Sequence, residues 1–294
     1  MKISILIPHK NSLSKVCRLL ESISNEISVI LVDDYSDNDV FERLEEVVSD
    51  KYENVMLIKN DSIERNAGTA RNVAIKNCPI DTEWVIFADA DDEFNEGAFR
   101  RLVSYLGHNK SDDVVFFNCV ARKEYSKEEG SRCDSYRKLI SCWPSNRRSI
   151  AFEWPVPWGK AIRIDRVIKP NGLEFASRLA GNDMEFSAKL ALTRSVISVF
   201  PEDVYICYES ENSLTATLTS EKALDRLKAN TNRNRLYYIG GVDFVRYNYG
   251  LTHFLKAIPI IIGKRDFYAF KGAVSNFFIS LRMNYIVKLG AGGG

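Results

Sequence analysis

The chain has 294 residues, 45% hydrophobic and 27% charged, with 8 prolines and a net charge of +1. That is enough apolar material for a full core, and the length allows one or two domains. No run approaches the roughly 20 apolar residues that span a bilayer, and six scattered cysteines without a C-x-x-C pair argue against a metal cluster. With no signal-peptide pattern, this predicts a reducing, intracellular setting. The charge is uneven: residues 221–294 hold 12 Lys/Arg and 4 Asp/Glu, leaving 28 and 35 for residues 1–220. Such a basic, aromatic tail on an acidic body predicts an anionic partner for the tail.

Lys2–Pro8 (KISILIP) is short, β-branched and apolar, and reads as a strand buried on both faces. Leu13, Val16, Leu19, Leu20 and Ile23 then form a helical stripe. Ile27–Asp34 is a second strand, Val40–Val48 a helix, and Asn54–Ile58 a third strand. Gly68–Lys76 is a further helix and Glu83–Asp92 (EWVIFADADD) a fourth strand. Four strand–helix alternations in about 90 residues predict an α/β fold with a mostly parallel, nucleotide-binding sheet flanked by helices. Asp112–Ala121 reads as a strand leading to an exposed charged loop. Gly181–Leu192 reads as a helix, Val196–Ser210 as a strand, and the chain from Leu224 onward as helical.

Ligands sit at the carboxyl ends of parallel strands, and three of these ends are polar: PHKN, DDYSDND and DADD. Side-chain alternation along a strand would point Asp89 and Asp91 the same way, with Asp92 opening the turn. Carboxylates so close raise one another's pKa, which a hard divalent cation would relieve. A plain helix-capping turn is the other use of such a stretch. Asp33 or Asp34 could accept hydrogen bonds from a nucleobase or ribose, or belong to a solvated loop that caps the next helix. Arg71, near the start of a helix, suits a phosphate. Asn182 and Glu185 fit a capping box, leaving Asp183 either as a favourable first-turn charge or as a general base. Trp154 and Trp158 are core residues or a sugar-stacking wall in a loop shaped by Pro155 and Pro157. His9, His108 and His253 have no metal-ligand spacing and read as core or surface residues.

In order from Ile3 to about Thr215, ISILIPHKN, VILVDDYSDND, NAGTARNVAI, IFADADDEF, WGKAIRID, GNDMEF and YESENSLT together resemble a family 2 glycosyltransferase. The resemblance implies a GT-A fold and inverting transfer of a sugar from a UDP-linked donor to an acceptor hydroxyl. It implies that Asp34, with Asp33, contacts uracil in a pocket lined by the Pro8–His9 backbone, and that Arg71 lies near the nucleotide. Asp89 would face ribose and metal with Ala90 beside it, Asp91 would ligate Mn²⁺ or Mg²⁺, and Asp183 would take the acceptor proton. Trp154, Trp158 and Asn182 would lie on the acceptor side. Two positions depart from the pattern: Asn182 stands where the family usually has an acid, and Lys10 where an aromatic is commoner.

The expected organisation is a catalytic domain over 1–220 and a helical tail over 221–294. That tail is suited to an anionic membrane surface, or to packing on the sheet. The expected acceptor is a saccharide or lipid-linked saccharide in bacterial surface polysaccharide assembly, at the inner face of the cell membrane. No nucleic-acid partner is expected. The alternatives are a metal-dependent nucleotidyltransferase and a non-catalytic sugar-nucleotide-binding scaffold.

Overall fold

A computed structural model describes residues 1–126, 128–143, 149–209, 219–242 and 250–291. It divides into two units. The first comprises Met1–Ile150, Val156–Ser177 and Thr193–Ser210, the second Ala151–Pro155, Arg178–Leu192 and Glu211–Gly294.

The first unit is built on one sheet with strand order β3-β2-β1-β4-β8-β6-β9-β5, with β7 paired to β6. β1 (Ile3–His9), β2 (Ser28–Asp33), β3 (Val55–Lys59) and β4 (Trp84–Phe87) run parallel. The central three are apolar on both faces because helices cover both sides: α1 (Leu13–Glu21), α2 (Asn38–Lys51), α3 (Ala67–Lys76) and α4 (Glu96–His108). The α3 boundary is set locally. Asn66 accepts from the Gly68 and Thr69 amides, and the Thr69 hydroxyl accepts from the Asn66 amide, closing a capping box.

Beyond β4 the sheet becomes mixed. β8 (Lys160–Arg163) enters antiparallel between β4 and β6 (Val114–Lys123), and β9 (Ile197–Glu209) runs parallel to β6. β5 (Glu93–Phe94) pairs with β9, and β7 (Glu129–Gly130) with β6. The segment after β6, expected to be an exposed loop, therefore contributes a strand; it also buries Cys133 before α5 (Asp134–Ser141). A short helix, α6 (Ser149–Glu153), follows. All six cysteines are free thiols.

The strand expected over Glu83–Asp92 ends at Phe87. The last ladder contacts are Leu6 to Phe87 and the Ala88 amide to the Leu6 carbonyl, after which the Asp92 amide closes a turn onto the Asp89 carbonyl. The carboxylate cluster is thus presented by a turn, and strand alternation does not orient Asp89 and Asp91.

In the second unit, α7 (Asn182–Leu192) packs against α8 (Ser220–Ile239). Gly181, at φ +79°, makes the approach possible: a Cβ there would lie 2.8 Å from that of Ala229. α8 forms a helical cluster with α9 (Gly250–Gly263) and α10 (Phe267–Ala291) around Leu224, Leu227, Ile261 and Ala273. Among the described residues, no helix is long and apolar enough to cross a membrane. The closing segment YESENSLT lies outside the described residues from Ser210 onward.

Candidate active site

Three strand ends are laced together at the carboxyl edge of the sheet. The Asp34 amide donates to the His9 carbonyl, and the Asn60 amide to the Asp33 carbonyl. His9 is buried; its Nε2 accepts from the Ser12 amide, so Nδ1 carries the proton and donates to Asp33 Oδ1 at 2.9 Å. The Asp33 carboxylate also accepts from the Ser36 amide and hydroxyl. Burial pushes its pKa up, but the bonds from His9 and Ser36 outweigh that and hold it below the ordinary value. Asp33 therefore braces its own loop. Asp34 is bound at Oδ1 by Asn60 Nδ2 at 2.7 Å, and the same amide group donates to Thr69. Pro8 and His9 pair in register with Val32 and Asp33, placing their backbone at this edge.

The acidic turn follows β4. Asp89 Oδ1 takes Arg71 Nη2 at 2.6 Å, so the second turn of α3 is ion-paired to the acidic turn. Asn72, one position on, clamps the backbone of Phe175 through both its amide atoms. Ala90 is buried. The Asp91 carbonyl accepts from Arg18, whose guanidinium lies 3.9 Å from the Tyr208 ring centroid. Burial and then Asp89 push the Asp91 carboxyl above its ordinary value. Asp92 is buried, accepts from the Tyr208 amide at 2.9 Å, and is raised further by burial, Cys207, Asp91 and Asp89.

The donor chemistry here suits a hard cation. Asp91 offers carboxylate oxygens whose charge is disfavoured where it stands, and a cation would reverse that. Among the described residues no group of three or more His, Cys, Asp or Glu side chains is arranged around a metal. Asp89 and Asp91 are the residues that would hold such an ion, with its remaining oxygens left to a substrate.

Four residues that the sequence reading passed over belong here. The Asp89 amide donates to the Tyr205 hydroxyl at 2.8 Å. Trp158 is fully buried, stacks on Tyr205 at 5.7 Å, and has the Arg132 guanidinium 5.7 Å from its ring centroid. Burial works against the charge of Arg132, but Cys207, Asp89, Asp92 and Asp91 outweigh it and raise the pKa. The Cys207 thiol is itself pushed up by its hydrogen bond with Cys133 and by burial. Asn60 was findable as a polar residue at a strand end. Arg18, Arg132 and Tyr205 arrive from distant parts of the chain.

Asp183 and Asn182 open α7 in the second unit, where Asn182 is buried and its Nδ2 donates to the Arg178 carbonyl. The sequence pattern makes Asn182 the cap of this helix, with Glu185 as its partner. Asn182 is already helical, and Glu185 Oε1 is held by Arg178 and Asn232. Trp154, in the same unit, is fully buried. Neither tryptophan presents an open face.

The mixed α/β sheet, with a nucleotide-type strand edge and an acidic turn beside it, defines a GT-A glycosyltransferase fold. The model of "Glycosyl transferase family 2" matches residues 4–163, and this chain belongs to that family. The poly(ribitol-phosphate) beta-N-acetylglucosaminyltransferase TarS of Staphylococcus aureus is 31% identical over 124 residues, 39% of this chain and 20% of TarS. The poly(ribitol-phosphate) beta-glucosyltransferase of Bacillus spizizenii is 34% identical over 118 residues, 38% of this chain and 18% of its own. The match thus spans about a fifth of each relative. Among solved structures, S. aureus TarS with UDP-GlcNAc superposes with a TM-score of 0.65 at 18% identity, covering 87% of this chain and 73% of that one. The mannosyltransferase PcManGT of Pyrobaculum calidifontis, with GDP-Man and Mn²⁺, gives 0.55 at 17% identity, covering 99% and 79%.

Proposed function

We propose that the protein is an inverting glycosyltransferase that moves a sugar from a UDP-sugar to an acceptor hydroxyl during bacterial surface polysaccharide assembly. The observation that carries this is the Asp89–Asp92 turn. Asp89 is ion-paired to Arg71, and Asp91 is held where its negative charge is disfavoured. The UDP-GlcNAc complex of TarS supports the donor class, and the poly(ribitol-phosphate) substrates of the two relatives support a polymeric surface acceptor.

Asp34 and the Pro8–His9 backbone receive the uracil, with Asp33 fixing their loop. Arg71 lies beside the diphosphate and Asp89 beside the ribose, with Ala90 between the two acids. Bound at Asp91 and Asp89, Mn²⁺ or Mg²⁺ would supply Lewis-acid stabilisation of the departing diphosphate. Asp183 takes the acceptor proton as the new bond to the anomeric carbon forms and the old carbon–oxygen bond breaks, its electron pair leaving with UDP. Asn182 stands beside Asp183 on the acceptor side, and Trp154 and Trp158, both buried, act there as packing supports and not as sugar-stacking faces. The catalytic domain is taken as 1–220, and the tail from 221 as a contact with an anionic membrane surface, which would place the enzyme peripherally on the inner face.

The test is UDP release from UDP-Glc, UDP-Gal, UDP-GlcNAc and UDP-GalNAc with and without Mn²⁺. Asp91→Ala is expected to abolish release, and Asp183→Asn to retain UDP binding while losing transfer. Pyrophosphate release from UTP with no UDP-sugar turnover would replace this reading with a nucleotidyltransferase.

A further inference from the structure

Tyr35 lies between Asp34 and Ser36 with φ +60°, in the left-handed region that favours glycine and costs a bulky side chain. The backbone on either side is pinned. The Asp34 amide is held by the His9 carbonyl, the Ser36 amide by Asp33, and the Asp37 amide by Asn11. Residue 35 has no freedom to relax, and glycine would meet the same backbone demand without strain. A tyrosine stands there instead.

Core packing does not account for that choice, because the side chain is exposed, with 41% of the residue's surface open. What it does contact is a cation: the Arg65 guanidinium carbon lies 3.1 Å from the ring centroid. Arg65 is itself exposed and sits directly before Asn66, the residue that caps α3. Strain kept at an exposed residue, next to a buried carboxylate, is the pattern of a ligand clamp. A flat ring layered with a guanidinium is also the arrangement that accepts a nucleobase by stacking.

We infer that Tyr35, backed by Arg65, is the platform on which the pyrimidine base of the donor stacks while Asp34 reads the base edge. This rests on the UDP-sugar reading and adds to it a residue that sets affinity for the base. Stacking acts on the base alone, so the diphosphate should bind independently of it.

The experiment is calorimetry on the full chain with UDP and with inorganic pyrophosphate as separate titrants, both with Mn²⁺. The proteins are wild type, Tyr35→Gly, Tyr35→Phe and Arg65→Ala. Loss of one stacked base weakens binding on the order of tenfold. Tyr35→Gly should lose that factor for UDP, keep its pyrophosphate affinity and keep its thermal midpoint. Tyr35→Phe should stay within about twofold of wild type for both titrants, since the ring face is what stacks. Arg65→Ala should weaken UDP by an intermediate factor. UDP affinity of Tyr35→Gly within twofold of wild type overturns the inference and leaves the donor reading standing. Equal losses for UDP and pyrophosphate also overturn it, by marking Tyr35 as a support of the loop. A wild-type protein that binds no UDP brings down the donor reading and this inference together.

Discussion

The backbone amide of Asp89 donates a 2.8 Å hydrogen bond to the phenol oxygen of Tyr205, 116 residues away in the chain. Burial, then Asp92 and Asp89, keep that phenol protonated, so it offers an acceptor that cannot ionise beside the carboxylates. The bond ties the acidic turn to β9. Tyr205→Phe keeps the ring stacked on Trp158 but leaves the amide unpaired, at a cost of about 1–2 kcal/mol. The expected result is a lower denaturant midpoint and roughly tenfold slower UDP release, because small displacements of catalytic groups are costly. Slower release without loss of stability would mean that the hydroxyl acts on the substrate and not on the turn.

Asp33 gives a pH dependence whose sign is fixed. Its folded pKa lies below the unfolded value of 3.8 because His9 and Ser36 stabilise the charged form against burial. Its contribution to stability is therefore present above that value and lost as pH falls through the folded pKa. Asp33→Asn should destabilise the protein by about 2 kcal/mol at neutral pH, the scale of a charge-assisted hydrogen bond. The gap to wild type should close on acidification below pH 3.8. Chemical denaturation of both proteins at neutral and acid pH measures it; a gap independent of pH would remove the charged state assigned to Asp33.

The part of this molecule that could be read from sequence is the part built from local periodicity. β1 to β3 and the helices between them follow from apolar spacing, and α3 from the Asn66 cap. The GT-A family was legible because its motifs fall in order at the ends of these strands. What stayed hidden depends on distant pairing. β4 stops at Phe87 because its neighbours stop pairing there, which no property of the Asp-rich stretch signals. β8 is four residues long and includes a buried lysine, Lys160, so it shows no strand pattern, yet it joins the two halves of the sheet. Arg132 looked like one more charge in a charged loop until β7 and Cys133 fixed its place.

Arg132 itself is testable through its support. Its amide is held by Glu209 Oε1 at 2.7 Å, and a Cβ on Gly130 would lie 2.6 Å from the Glu209 carboxyl. If the guanidinium serves the diphosphate, Arg132→Gln should weaken UDP binding by about tenfold, the scale of one charged hydrogen bond. Gly130→Ala should reproduce part of that loss by pushing Glu209 aside and shifting the loop. Unchanged UDP affinity in Arg132→Gln, with normal turnover, would confine Arg132 to offsetting the acidic turn.

The tail calls for point variants and not a deletion, because α7 packs on α8 within the same unit and removing residues from 221 onward would take away that support. The turn between α9 and α10 shows what a lipid surface would meet: Ile262, Lys264, Arg265, Phe267 and Tyr268 are all exposed, the two aromatics at 85% each. Basic side chains near an anionic surface contribute about 1 kcal/mol apiece, and exposed aromatics suit the headgroup layer. A double variant, Phe267→Ser with Tyr268→Ser, removes apolar contact without touching the helical core. It should leave the thermal midpoint unchanged and reduce co-sedimentation with phosphatidylglycerol vesicles severalfold. A Lys264→Glu, Arg265→Glu pair should abolish binding to those vesicles, and binding of the wild type should fall with added salt. Equal binding to neutral phosphatidylcholine vesicles, or none to either, would assign the aromatics to a protein partner.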